Sequence, residues 1–209
     1  MLTYNRLAGI LLFLALPLLF WALGDTPRPS FLKEFISIMT ILAYFLMLGQ
    51  FFLSRGNKKV LKPHKMGKVV KLHKVIGYIF VSVLLVHPFL IVVPRFFEAG
   101  ISPGEAFSTM ITTWDSQGII LGMVAWNLML ILGLTSGFRK RLGIKYTTWR
   151  VFHGLLSMAF ITLATWHAMD LGRHTDLPMS LYMGVVAGLG VLLLLRTYLS
   201  NPSKTAKNV

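Results

Sequence analysis

The chain contains no cysteine among its 209 residues. This absence excludes a thiolate-ligated iron–sulfur cluster, a cysteine zinc site and a disulfide framework, and it leaves histidine as the strongest candidate metal ligand. Charge is also scarce, because 13% of the residues are charged, 55% are apolar and the mean hydropathy is +0.68. A water-soluble domain of this length could not stay dispersed with so few charges.

The apolar residues are gathered into six blocks of 17 to 22 residues, each long enough to cross a hydrocarbon core about 30 Å thick. Apart from Lys74, the blocks contain no Lys, Arg, Asp or Glu, and they lack the alternation of barrel strands. The sequence therefore predicts an all-α integral membrane bundle of six transmembrane helices. The predicted spans are Leu7–Leu23, Phe35–Leu53, Leu72–Val93, Gly118–Phe138, Val151–Met169 and Met179–Leu195.

The chain divides into three predicted parts. Residues 1–34 hold the first span and an external loop, residues 35–195 the core, and residues 196–209 a short polar tail. The first apolar run, preceded by Arg6, also resembles a cleavable signal peptide, and a five-span protein would keep the same loop orientation. The longest external connection is predicted over residues 94–117, with Pro94, Gly100, Pro103 and Gly104 as breakers.

Charge is sorted between alternate loops. The basic regions contain no acid and carry Arg6, Arg55, Lys58, Lys59, Lys62, Lys65, Lys68, Lys71, Arg139, Lys140, Arg141, Lys145, Arg150, Arg196, Lys204 and Lys207. The other loops hold all seven acids, at Asp25, Glu34, Glu98, Glu105, Asp115, Asp170 and Asp176. Because positive loops stay in the cytoplasm, both termini are predicted to be cytoplasmic. The basic excess indicates orientation and contact with anionic lipids, not nucleic-acid binding.

Four histidines recur at matched spacing in the predicted spans. His73 and His87 lie in the third span, His153 and His167 lie in the fifth, and each pair is 14 positions apart. Fourteen residues make about 3.9 helical turns and a rise of about 21 Å, so both members of a pair share one helix face. Because both spans run in the same direction, His73 should match His153 in depth, and His87 should match His167.

Two facing pairs of histidines at two depths suit two stacked haems between the third and fifth helices, each with an imidazole on both sides of the ring. Such six-coordinate haems favour electron transfer over oxygen binding. Two other interpretations stay open, namely polar contacts between helices and a proton relay. The absence of Asp and Glu from the spans counts against the relay.

Several cations are expected near the haem edges, where they would bind the propionates or, alternatively, extend to lipid headgroups. They are Lys71, Lys74, Arg139 and Arg150 at the inner pair, and Arg95 and Arg173 at the outer pair. His64 and His174 have no spaced partner and are predicted to be solvated loop residues, although His174 could contact an external acceptor.

Several short motifs resemble the ferric reductase-like transmembrane domain family over residues 35–195. The first ligand helix of that family resembles residues His73-Lys74-Val75-Ile76-Gly77 followed by His87. The second resembles Leu134-Thr135-Ser136, Arg141-Leu142-Gly143 and Trp149-Arg150-Val151-Phe152-His153, ending at His167. The resemblance implies haem b at His73/His153 and at His87/His167.

The resemblance also implies a function, the transfer of electrons across the membrane by an oxidoreductase membrane subunit. Ferric reductases and NADPH oxidases carry a flavin module, whereas no such module is recognised after residue 195. FAD or FMN is therefore expected only on a separate partner. We expect a flavin reductase or a quinol as the donor, and a ferric chelate or a periplasmic redox protein as the acceptor.

Two further points follow from the same comparison. The chain resembles the haem-bearing subunit of a periplasmic methionine sulfoxide reductase system in length, but that subunit typically lacks the histidine found here at His73. A bacterial inner membrane is the expected location. The alternative function is a non-redox membrane transporter or assembly factor whose histidines are structural or bind another metal.

Overall fold

The computed structural model of the chain describes residues 7–28, 30–53 and 66–199, and within them it is helical without a β-strand. The helices are α1 (Leu7–Leu23), α2 (Phe31–Phe52), α3 (Met66–Ala99), α4 (Pro103–Thr112), α5 (Gln117–Gly137), α6 (Tyr146–Leu171) and α7 (Leu177–Leu199). A short 3₁₀ turn, Arg139–Arg141, follows α5.

Five of these helices, α2, α3, α5, α6 and α7, are long and apolar enough to cross a membrane. Helix α1 is also apolar but shorter, and at 1.5 Å per residue it measures about 25 Å. The predicted helical membrane bundle is therefore confirmed, with one helix at the lower limit of length for a span.

The connection predicted over residues 94–117 is partly wrong. Helix α3 continues past Pro94 to Ala99 and stops where Gly100 adopts a φ of 65°, a left-handed conformation that favours glycine. A new helix, α4, begins at Pro103, whose missing N–H is harmless in a first turn, and the side chain of Ser102 accepts a hydrogen bond from the Glu105 amide. Of the four predicted breakers, only Gly100 interrupts the helical structure as predicted.

Contacts between helix ends show how the helices alternate in direction. At one end, Glu98 near the end of α3 forms an ion pair with Lys33 near the start of α2, and Arg173, just after α6, pairs with Glu34. At the other end, His73 near the start of α3 faces His153 near the start of α6. Helices α3 and α6 are therefore parallel, as predicted, and α2 is antiparallel to both. We call the end with Arg139–Arg141 the basic end and the opposite one the acidic end.

The buried core lies among α2, α5, α6 and α7, and its fully enclosed side chains include Phe45, Leu48 and Ile161. The most extensive packing joins α5 to α6 and α2 to α3, whereas direct packing between α3 and α6 is slight. The two histidine-bearing helices thus run side by side without closing on each other. Large apolar side chains such as Leu192 and Val185 are exposed, as expected of a lipid-facing surface.

Candidate functional site

The first histidine pair faces across the gap between α3 and α6 at the basic end. The ring centres of His73 and His153 are 6.3 Å apart and their planes cross at 73°. Ser136, the second-last residue of α5, places its hydroxyl 3.3 Å from Nδ1 of His153. With Nδ1 engaged in this way, Nε2 of His153 is the nitrogen available to a ligand.

A cavity of about 960 Å³ surrounds this pair, a volume at the upper end of the range for small-molecule sites. Gly77 on α3 and Gly137 on α5 both line it, and a Cβ at either position would meet no atom within 4 Å. These glycines therefore widen the gap that the slight α3–α6 packing leaves. Much of the remaining wall is apolar, including Val81, Leu132 and Phe160.

Positive charge is concentrated on the lining of this cavity, and none of the described residues that line it is acidic. The cations are Lys74, Arg139, Lys140, Arg141 and Arg150. Three of the four cations expected near the inner pair, namely Lys74, Arg139 and Arg150, thus line the cavity, whereas their role towards a ligand stays a prediction. The cavity suits a ligand that is apolar over most of its surface and anionic at one edge.

The second pair, His87 and His167, lies towards the acidic end, 14 residues beyond His73 and His153 on the parallel helices α3 and α6. Nδ1 of His167 is 2.8 Å from the carbonyl oxygen of Gly118. The ring of His167 lies against the bare backbone of Gly122, where a Cβ would come within 2.5 Å of Nδ1. Nδ1 of His87 is buried without a hydrogen-bond partner among the described residues.

Within the described part of the chain, each pair offers two imidazoles and no third His, Cys, Asp or Glu ligand. The described residues contain no group of three or more His, Cys, Asp or Glu side chains that could hold a metal ion. A metal held between two facing imidazoles would thus take its other ligands from a non-protein group. That requirement excludes an ordinary tetrahedral protein zinc site at either pair among the described residues.

Comparison with known proteins decides the family. Residues 39–164, more than half of the chain, match the family described as ferric reductase like transmembrane component. The chain belongs to this ferric reductase-like family. An uncharacterized protein of Archaeoglobus fulgidus is 43% identical over 160 residues, which cover 77% of this chain and 87% of that protein. No solved structure matches the chain.

The family match covers part of the predicted site. His73, His87 and His153 lie inside the matched region with Arg95 and Arg150, whereas His167 lies just beyond its end. Arg150 lines the cavity, while Arg95 is exposed near the end of α3. Arg173 does not stand free, because its guanidinium contacts the Glu34 carboxylate and donates to the carbonyl of Pro27 at 3.2 Å.

A second polar cluster, at the acidic end, was not predicted from the sequence. It centres on Glu34 of α2, which is 9% exposed and accepts a hydrogen bond of 3.1 Å from the Trp21 indole. Nε2 of His174 lies 3.0 Å from the same carboxylate, and Arg173 binds its other oxygen. Arg28 lies over the Trp21 ring at 4.6 Å. We call these five residues the Glu34 cluster.

The prediction that His174 is solvated is wrong, because His174 is only 4% exposed. The α6–α7 loop turns the imidazole inward against Glu34, and the Trp21 ring lies 6.0 Å away. The one available signal was the unpaired Glu34 near the start of an apolar span, since a carboxylate there needs a partner. His64 lies outside the described residues.

Proposed function

We propose that the chain transfers electrons across a membrane through two b-type haems, one held by His73 and His153 and the other by His87 and His167. The observation that carries the proposal is the facing of His73 and His153 across a cavity with a basic lining. Membership of the ferric reductase-like family supports the same class of function.

The spacing of the inner pair fits a metal bound from both sides. Metal–imidazole bonds of about 2 Å, with each ring centre roughly 1.1 Å beyond its nitrogen, require ring centres about 6.2 Å apart. The observed separation is 6.3 Å. Because no third protein ligand is present among the described residues, a planar macrocycle would supply the remaining coordination, and the cationic lining would bind its carboxylates.

The hydrogen bonding of the outer pair, His87 and His167, also suits imidazoles that bind a metal. The Gly118 carbonyl fixes the orientation of His167, as carbonyl and carboxylate acceptors commonly do for metal-bound imidazoles. His87 keeps a buried nitrogen with no partner among the described residues, which is costly unless a ligand uses the ring.

The residues of the chain have separable tasks in this proposal. Bound haem supplies one-electron chemistry. Ser136 and the Gly118 carbonyl orient the ligand rings, and the apolar wall excludes water and keeps the local dielectric low. Arg150, with Lys74 and Arg139, neutralises propionates at the inner pair, and Arg95 and Arg173 are proposed for the outer pair.

We further propose that the basic end faces the cytoplasm and contacts anionic lipids, as in a bacterial inner membrane. Electrons would enter there from a flavin reductase or a quinol and leave at the acidic end to a ferric chelate or a periplasmic redox protein. Any FAD or FMN belongs to the partner.

The visible spectrum of the purified protein tests the proposal. We expect a b-type Soret band that shifts on dithionite reduction, with about two haems per chain, as two six-coordinate pairs require. His73→Ala or His153→Ala should remove the inner haem, and His87→Ala or His167→Ala should remove the outer one while leaving the inner haem reducible. His64→Ala, which alters a histidine without a partner at matched spacing in the sequence, is the control and should retain both haems.

A colourless protein after expression with ample haem would contradict the proposal and favour a non-redox transporter or assembly factor. Full haem content in all four single variants would show that the ligand assignment is wrong.

A further inference from the structure

A column of stacked rings runs from the surface of the basic end to the inner histidine pair. The ring centres of Tyr146 and Trp149 are 6.0 Å apart with planes at 22°, and those of Trp149 and His153 are 4.9 Å apart at 27°. The order follows from helix geometry, because positions three and four apart lie on one face of α6. His73 then faces His153 across the cavity.

One end of the column is exposed to solvent, and the other lies in the cavity. Tyr146, in the first turn of α6, is 44% exposed, whereas Trp149 is half-buried and its indole N–H is buried without a partner among the described residues. Both residues line the cavity. The column therefore provides π contact from solvent to the ring of a ligand histidine.

Positive charge surrounds the exposed end of the column. The Arg139 guanidinium lies 4.7 Å from the Tyr146 ring centre and 5.4 Å from that of Trp149, so it caps both rings. Lys140, Arg141 and Lys145 beside it are exposed, and residues 137–150 contain no acid. We call Arg139–Lys145 the basic turn. Such a surface attracts and orients a negatively charged macromolecule.

We propose that the basic turn docks a water-soluble, acidic redox protein, and that Tyr146 and Trp149 form the contact through which its electron reaches the His73/His153 site. This inference rests on the proposed function and selects between the two donors left open above. In each transfer the donor would be oxidised by one electron, a haem held by His73 and His153 would be reduced by one, and no bond would be formed or broken. The two rings stay neutral, because they only bridge the gap between donor and acceptor.

The position of the column favours a soluble donor over a quinol. A quinol dissolved in the bilayer would approach from the apolar sides of the bundle, whereas the exposed end of the column lies among hydrated cations at the N-terminus of α6. A donor that binds there must tolerate water and carry negative charge.

Anaerobic stopped-flow reduction of the haem-loaded full chain tests the proposal with two probes, photoreduced flavodoxin as the acidic soluble donor and duroquinol as the lipid-soluble donor. The variants are Tyr146→Leu, Trp149→Leu and Trp149→Phe, which keeps a ring in the column. Phe152→Leu, an exposed aromatic outside the column on the same helix, is the matched control. The haem content, the electron paramagnetic resonance spectrum of the low-spin haem and the midpoint potential are measured first for each variant.

We expect Tyr146→Leu and Trp149→Leu to slow reduction by flavodoxin several-fold, with Trp149→Phe close to wild type and duroquinol rates unchanged. Lys145→Glu, an exposed position outside the cavity lining, should lower the second-order rate with flavodoxin about threefold at low salt, with a smaller effect at high salt. The spectra and potentials of Tyr146→Leu and Lys145→Glu should match wild type, which separates the contact from a merely structural role.

The proposal would be overturned if flavodoxin reduced both leucine variants as fast as it reduces the wild-type protein. It would also be overturned if the substitutions slowed reduction by duroquinol alone. If Trp149→Leu loses haem, Tyr146→Leu decides, since Tyr146 does not stack on the ligand ring. A wild-type chain without haem would instead refute the proposed function.

Discussion

At the residue scale, His174 shows how a loop histidine can be held neutral. Burial lowers the pKa of His174 from its ordinary value of 6.5, while the adjacent Glu34 carboxylate opposes the shift. Arg173 and Arg28 also disfavour a second positive charge there. Protonation would in addition place a hydrogen on Nδ1, which is buried without an acceptor among the described residues.

The sign of the resulting pH dependence follows from linkage. Between the lowered pKa and 6.5 the unfolded chain binds a proton at His174 and the folded chain does not, so the contribution of His174 to stability is greatest above pH 6.5 and falls as the pH decreases through that window. We expect the melting temperature to fall between pH 7.5 and pH 5, and His174→Gln to reduce that fall. His64→Gln is the control; an equal reduction in both variants would contradict the assignment.

At the scale of helices, glycine determines how closely α5 and α6 approach. Gly118 contacts Asp170 and Leu171, and Gly122 faces the His167 ring, so one helix face carries both the packing and the support of a predicted ligand. The histidine ring that occupies the space beside Gly122 is not indicated by any pattern in the sequence.

Gly122→Ala tests this second role. Its methyl group would lie within 2.5 Å of the His167 ring, so the ring or the helix must shift, and we expect the free energy of unfolding to fall by about 1–3 kcal/mol. The haem at the outer pair should be lost or altered in its spectrum. Gly188→Ala on α7, where a Cβ meets nothing within 4 Å, is the matched control: it should leave the haem unchanged and should not lower the free energy of unfolding, because alanine favours a helix more than glycine does.

How far the sequence predicts the fold differs between elements. The apolar runs predicted the long helices, because lipid requires every backbone group to bond within its own helix. The 14-residue spacing predicted that His73 and His153 would meet. The Glu34 cluster could not be predicted, because Trp21, Glu34 and Arg173 come from distant parts of the chain and no periodicity links them. Helix α4 was missed because Pro103 and Gly104 were interpreted as breakers rather than as a helix start.

At the scale of the whole molecule, the distribution of charge sets one orientation in the membrane. The basic turn and the start of α6 lie at one end, and Glu34, Glu98 and α4 lie at the other. Because the chain has no cysteine, single cysteines can report the side on which each end lies without further substitutions.

Thr148→Cys in the first turn of α6 and Thr109→Cys in α4 alter exposed positions at the two ends. In intact cells we expect a membrane-impermeant maleimide to label Thr109→Cys, and to label Thr148→Cys only after permeabilisation. The unlabelled cysteine-free chain is the control. Labelling of both variants in intact cells would contradict the proposed topology, and labelling of Thr148→Cys alone would indicate the opposite orientation.

The 14-residue separation along α3 and along α6 also has an electrical consequence. A rise of about 21 Å spans some two-thirds of a 30 Å hydrocarbon core, so an electron passing from one histidine pair to the other crosses most of the transmembrane voltage. At about 2.3 kcal/mol per charge for each 100 mV, the free energy of that step changes by roughly 1.6 kcal/mol for each 100 mV of membrane potential. Under the proposed function, and with the cell interior negative, outward electron flow would be driven by the membrane voltage and would discharge it.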